Sequence, residues 1–377
     1  MAVTAAQMKL IKSAIVLDGT TNGGVKGTTA VTSGVRHALF PRVTRAERTA
    51  GVTRYRKLFL ANENPDQEAA YGPLVYLTYP SVAGDRFYLA AGTQTDTQAT
   101  IVATPPEYTG CGQLAAPLAG GETEVELQME ANDFAFIQDG WLHISSHYKT
   151  GQTAGSGVLP GASVTFSGGA WQTAGHAGDY AYPNGIWLGS GVVMTDDGTG
   201  TEEWLKIADT ATPYSYTGTT VTVQLADPVA NAYATATTWG SGCIAGADLV
   251  PVIGATTPTT SAGTENNALP IVGDNKGTVA ETITITFSSA SAFSASGTVS
   301  GSLGTGSVSS AFAPVNPASG TPYFTIPANH FTGTWASSDT VVFATTPAAQ
   351  PVWLKEVVPA STAASQNNVF GIGYYWE

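Results

Sequence analysis

Between Gly121 and Ala131 the chain alternates without a break. Glu122, Glu124, Glu126, Gln128 and Glu130 fall on one side, and Val125, Leu127 and Met129 fall on the other. A period of two sends successive side chains to opposite faces of a pleated strand, so this stretch reads as a half-buried antiparallel strand. Runs of strand length rich in branched and aromatic residues recur at Val52–Leu60, Leu74–Tyr79, Val279–Phe287, Tyr323–Ile326 and Thr340–Ala344. Gly, Pro, Asn and Asp separate them, and helical periodicity is scarce. The expected fold class is therefore mainly β with little helix. We expect multi-domain β-sandwich or barrel modules on an N-terminal α+β region.

A chain of 377 residues is too long for one typical core. Composition shifts mark the boundaries. A Gly-rich connection runs through residues 150–162 and a Thr/Pro/Gly/Asn linker through 251–268. We expect an N-terminal α+β docking region at 1–150 and a β-sandwich or barrel at 151–268. The expected third part is a C-terminal β region at 269–377 containing a Ser/Ala/Gly tract at 288–312. Leu74–Tyr79 and Arg86–Ala90 read as a hairpin turned at Gly84-Asp85, and 92–100 as a polar strand or loop. The apolar tail Asn368–Trp376 should be buried, within the subunit or against a neighbour.

Charged residues make up 11% of the chain, under half the usual share of about 25%. The net charge of −13 hides an asymmetry: residues 1–57 hold ten basic and two acidic groups, and residues 58–377 hold five basic and twenty-six acidic. Seven of the basic residues fall within 36–60: Arg36, Arg42, Arg45, Arg48, Arg54, Arg56 and Lys57. Here Thr44 is placed to cap a short helix, with Glu47 at capping-box spacing and Gly51 as the stop. A strand should follow from Val52, with Arg54 and Arg56 on one face and Tyr55 on the other. Ordered arginines suit bidentate contacts to carboxylates. We expect them to dock on acidic protein surfaces rather than on nucleic acid, for which no binding motif is present. The acidic face of Glu122, Glu124, Glu126 and Glu130 is the expected complement, read against the alternative of a solvated face.

Signals for chemistry are sparse. His143 and His147 have i, i+4 spacing but sit in a strand-like context without the Glu of HExxH. The acidic turn Thr195–Glu203 does not match a calcium loop. No GxSxG, P-loop or GxGxxG occurs in the right context. We expect no enzyme, no cofactor and no metal. Cys111 and Cys243 lack metal spacing and read as reduced thiols of a protein made in the cytosol. The N-terminus lacks a secretory h-region, and no run approaches the ~18 apolar residues of a membrane span. Trp171 and Trp187 are candidates for stacking on a host surface glycan, with core packing as the competing explanation.

The segments Leu39-Phe40-Pro41, Ala46-Glu47-Arg48, Ala50-Gly51, Thr53–Lys57 and Gly92–Gln98 together resemble the N-terminal region of a group of virion structural proteins from tailed bacteriophages. The resemblance covers residues 34–100. It implies a virion component, assembled in the host cytoplasm from copies of itself and other virion proteins, and brings no catalytic residue with it. Tail or baseplate is the expected location, with head–tail neck or capsid decoration as alternatives. A glycan-binding adhesion module and an enzyme acting on cell-surface polymer are the readings from other classes.

Overall fold

The computed structural model describes residues 2–33, 35, 37–81, 83–151, 165–166, 169–170, 193–196, 200–364 and 370–377. Strands account for 45% of the structure and helix for 4%, in two short helices. The protein is mainly β, built from several antiparallel sheets. From the N-terminus the elements are β1 (Met8–Ile15), β2 (Gly23–Ala30), α1 (Arg45–Ala50), β3 (Val52–Asn62), β4 (Leu74–Tyr79), β5 (Arg86–Ala91) and α2 (Gln98–Ala103). Next come β6 (Cys111–Leu114), β7 (Glu124–Gln128), β8 (Trp141–Ser145), β9 (Tyr148–Gly151), β10 (Val193–Asp196), β11 (Glu202–Lys206), β12 (Tyr214–Thr217), β13 (Thr220–Gln224) and β14 (Trp239–Ala245). The last third holds β15 (Glu281–Phe287), β16 (Ala292–Gly297), β17 (Gly301–Ser307), β18 (Thr340–Thr346), β19 (Ala349–Val358) and β20 (Gly371–Tyr375), besides shorter pieces named by their residues.

A five-stranded sheet runs in the order β2-β1-β3-β19-β5. A nine-stranded sheet runs β11-β8-β14-β6-β7-β13-β12, with β4 joined to β14 and β20 to β4. Along β3, β19 and β5 the five-stranded sheet is buried on both faces. Leu58, Leu60, Leu89, Val352 and Leu354 pack with Val75, Leu77 and Ile244. Tyr88, Ala90 and Trp353 pack with Val125, Leu127, Leu142 and Ile144. Burial on both faces replaces alternation with nearly continuous burial along β3, β4 and β5. The third sheet runs Val252–Ile253, β18, β15, β16, β17, with Thr257–Thr259 also on β18. It has its own core of Ile283, Ile285, Phe287, Phe293, Phe331, Trp335 and Phe343.

These pairings correct the expected domain boundaries. The boundary at 150 is crossed by β8 pairing with β11 and by β7 pairing with β13. The boundary at 268 is crossed because β18 and β15 share a sheet with Val252–Ile253 and Thr257–Thr259. From Ala349 the chain returns to the N-terminal part: β19 lies between β3 and β5, and β20 pairs with β4. From Phe370 the apolar tail packs within the chain, with Tyr374 and Trp376 on the Leu77 and Leu354 core. The expected β4–β5 hairpin does not form, because the two strands enter different sheets. Part of 92–100 is the start of α2. Of the expected 151–268 unit, β11 to β14 belong to the nine-stranded sheet. Most of 152–192 lies outside the described residues.

Candidate docking surface

The arginine segment begins with α1, a helix of six residues. Thr44 Oγ1 accepts the Glu47 N–H at 3.2 Å, and the Thr44 N–H donates to Glu47 Oε2 at 2.6 Å. This capping box satisfies donors that a helix start leaves open. It also holds the Glu47 carboxyl below its ordinary value, the Thr44 backbone bond contributing most. Gly51, at φ +81°, closes the helix by donating to Glu47 O at 2.7 Å.

On β3, the expectation that Arg54, Arg56 and Lys57 face a neighbouring subunit is corrected. All three are buried and bonded inside the chain. Arg54 Nε donates to Glu356 Oε2 on β19 at 2.7 Å, and Arg54 Nη1 donates to Pro41 O at 3.0 Å. Arg56 Nε donates to Leu39 O at 2.8 Å, its Nη1 donates to Leu17 O at 3.2 Å, and it pairs with Asp18 at 2.7 Å. The Phe40 ring lies 6.0 Å from the Arg54 guanidinium and 5.1 Å from that of Arg56. The two arginines therefore share a face, as the alternation predicts, but that face is covered by the chain's own 39–41 segment. Lys57 points the other way. Its Nζ lies 2.5 Å from Asp96 and donates to Gly24 O at 2.7 Å, beside Trp353, whose Nε1 donates to Asp96 Oδ2. Burial lowers the Lys57 pKa.

What remains open to solvent is the layer these residues hold down. Arg42 and Arg45 are exposed, and Arg48 is half-buried with its Nη1 3.5 Å from Thr362 O. Ile15, Val16 and Leu17 are 43%, 42% and 39% exposed, and Val35 is 55% exposed. Arg56 links the Leu17–Asp18 turn to Leu39, and Arg54 links Pro41 to β19. The exposed apolar run and the exposed arginines are thus fastened to one strand. Arg36 lies outside the described residues.

On β7, Val125 and Leu127 are fully buried while Glu124 and Glu126 are exposed, as the alternation predicts. Glu124 accepts a hydrogen bond from Gln224 Nε2 at 2.9 Å. The two ends of the expected acidic face behave differently. Glu122 accepts the Ala119 and Gly120 N–H groups at 2.9 Å and so closes a turn. Glu130 is half-buried, and burial, with Asp85 nearby, pushes its carboxyl up to about 8. The open acidic pair is Glu124 and Glu126.

Some of the weaker chemical signals fall on described residues. His143 is buried on β8, 3.1 Å from Glu202, and burial lowers its pKa. Glu203 accepts the N–H groups of Ala230 and Asn231. Among the described residues no three His, Cys, Asp or Glu side chains are grouped to hold a metal ion. Residues 197–199 of the acidic turn lie outside the described residues, as do Trp171 and Trp187. Cys111 and Cys243 are free and buried, and burial raises both thiols. Among the described residues no helix is long and apolar enough to cross a membrane.

Sequence reasoning missed Asp18, Asp96 and Glu356 as the carboxylates that meet these basic residues. They stand 38, 39 and 302 positions away from their partners, and no local pattern ties such pairs together. It also missed the exposure of Ile15-Val16-Leu17, although three consecutive large aliphatic residues before a turn were a visible signal.

No family model matches the chain, and no curated protein matches it. Among solved structures, the atomic structure of Sulfolobus Turreted Icosahedral Virus is similar at 9% identity and a TM-score of 0.10, over 93% of this chain and 89% of that one. At that TM-score the likeness carries no argument about fold or function.

Proposed function

We propose that this chain is a non-enzymatic structural subunit of a bacteriophage virion. It docks onto neighbouring subunits through the surface formed by Ile15, Val16, Leu17, Val35, Arg42, Arg45 and Arg48. The observation that carries the reading is the pinning of that surface by Arg54 and Arg56. An exposed aliphatic run beside exposed arginines is held in fixed register by buried guanidinium groups. An apolar patch with a basic rim has the anatomy of a protein interface, and rigidity lowers the entropic cost of docking. The partners are copies of this chain and other virion proteins. Glu124 and Glu126 are the proposed complement on a copy. The resemblance of residues 34–100 supports the virion, and within it we place the chain in the tail or baseplate, ahead of the head–tail neck or capsid decoration.

The test is charge reversal at exposed positions, which leaves the buried pairs alone. The double variant Arg42→Glu, Arg45→Glu should keep at least the wild-type melting temperature, because both side chains are exposed and a carboxylate at Arg45 lies in the first turn of α1, where the helix dipole favours it. Its incorporation into particles should fall by about tenfold or more, since like charges set against each other cost several kcal/mol. Particles that incorporate the double variant at the wild-type level would refute docking through this surface.

A further inference from the structure

Among the described residues the third sheet ends at β17, which is paired on one side only, to β16. Along the free side of such a strand, alternate N–H and C=O groups point away from the sheet. Proteins guard edges of this kind with Lys, Glu or Pro, with β-bulges, or by keeping the edge strand very short. The other end of this sheet follows that practice: β18 is flanked by the short strands Val252–Ile253 and Thr257–Thr259. By contrast, β17 has seven residues, GSLGTGS, and its guard is limited to a register shift between Ser302 and Gly304. No Asp, Glu, Lys or Arg occurs between Glu281 and Asp339, and no Pro occurs in residues 282–313.

The hairpin that carries this edge is built firmly. A Cβ on Gly306 would stand 2.4 Å from Phe293 Cζ, so only glycine lets the Phe293 ring lie against β17. Glu281 Oε2 accepts the N–H groups of Val299 and Ser300 and the Ser300 hydroxyl, at 2.9–3.0 Å. The turn between β16 and β17 is thereby fixed, and the edge is presented in one conformation.

We infer that β17 is a self-pairing edge, and that its occupant is β17 of a second copy running antiparallel across a twofold axis. Neutrality selects this partner. In an isologous pair the strand meets itself, so a charged residue near the axis would face its own charge. On a chain of net charge −13, this tract lets two copies meet without opposing like charges. The register shift opposite Ala295–Ser296, with Gly304 at φ +96°, leaves Thr305–Ser307 as the regular part of the edge. Three residues bury far less than the roughly 1,200 Å² of a standard interface. The contact is therefore weak between free copies and strengthens when an assembly holds copies side by side. It is a separate surface from the arginine-rimmed one.

The native thiols are buried, so a cysteine placed at the exposed Thr305 is the one that oxidant reaches readily. Mild oxidation of full-length Thr305→Cys at high protein concentration should give a disulfide-linked dimer faster than Thr104→Cys, a control at an exposed position outside both proposed surfaces. Sedimentation velocity on the wild type should show a concentration-dependent dimer. Thr305→Lys should raise its dissociation constant by about tenfold or more, with an unchanged melting temperature. A wild type that stays monomeric at every concentration would overturn the inference, and is the outcome expected if another protein's strand covers this edge. Cross-linking of Thr305→Cys no faster than the control, or an undiminished dimer in Thr305→Lys, would overturn it equally.

Discussion

Arg54 and Glu356 meet at 2.7 Å, with side chains 3% and 4% exposed. Burial, with Asp85 nearby, pushes Glu356 up to about 7, and Arg54 works against that rise. Removing one partner of such a pair strands the other in a dry environment. Arg54→Ala should therefore cost about 3–5 kcal/mol in chemical denaturation, and the apolar pair Arg54→Met, Glu356→Leu should recover most of it. A loss below about 1 kcal/mol for the single variant would place the pair in the class of surface ion pairs instead. Glu130 gives a second residue-scale prediction. Its carboxyl titrates near 8 in the folded chain because of burial and Asp85, with Arg86 opposing, against an ordinary value of 4.5. The folded state thus holds this proton more tightly than the unfolded chain does. The stabilisation is full below pH 4.5 and is lost as pH rises through about 8. Glu356 acts in the same direction. Glu130→Gln should flatten the fall in melting temperature across that window, and an unchanged slope would show that Glu130 is not the titrating group.

At the scale of elements, legibility followed the range of the interactions. The Thr44–Glu47 capping box and the Gly51 stop were readable because every bond in them spans four residues or fewer. On β7 the alternation was readable because one face meets the Val125–Leu127 core and the other meets solvent. On β3 the same kind of alternation misled. Arg54 and Arg56 share a face, but Phe40 and the 39–41 segment cover it. Leu74–Tyr79 and Arg86–Ala91 were recognisable as strands, yet their turn said nothing about their partners, which are β14 and β20 for one and β19 for the other. The uncharged 288–312 tract had the composition of a linker, but Phe293, Val299, Leu303, Val308 and Phe312 pointed to short strands or an ordered loop. Phe293 and Phe312, set between Ser, Ala and Gly, bring its hairpin onto the Phe287–Trp335 core.

For the whole molecule, the return of the C-terminus organises the fold. Its strand β19 is an interior strand of the five-stranded sheet, paired with β3 along its whole length and with β5 on the other side. Truncation after Ala348 would remove that strand together with Trp353, which is fully buried. It would leave Arg54 without Glu356 and Lys57 without the Trp353 ring beside it. The truncated chain should lose the cooperative unfolding of the N-terminal sheets, measured by near-ultraviolet circular dichroism and calorimetry. A truncated protein that keeps that transition would contradict the central role of β19. The sequence by itself determined the β class, the places of most strands and the capped helix, since alternation and capping are properties of neighbouring residues. Only the tertiary structure decided that both faces of β3 are buried, that Arg54 and Arg56 are fasteners, and which residues remain open for contact. Those outcomes depend on Glu356 and β19, some 300 positions from Arg54, and burial is decided by which distant strands pack there.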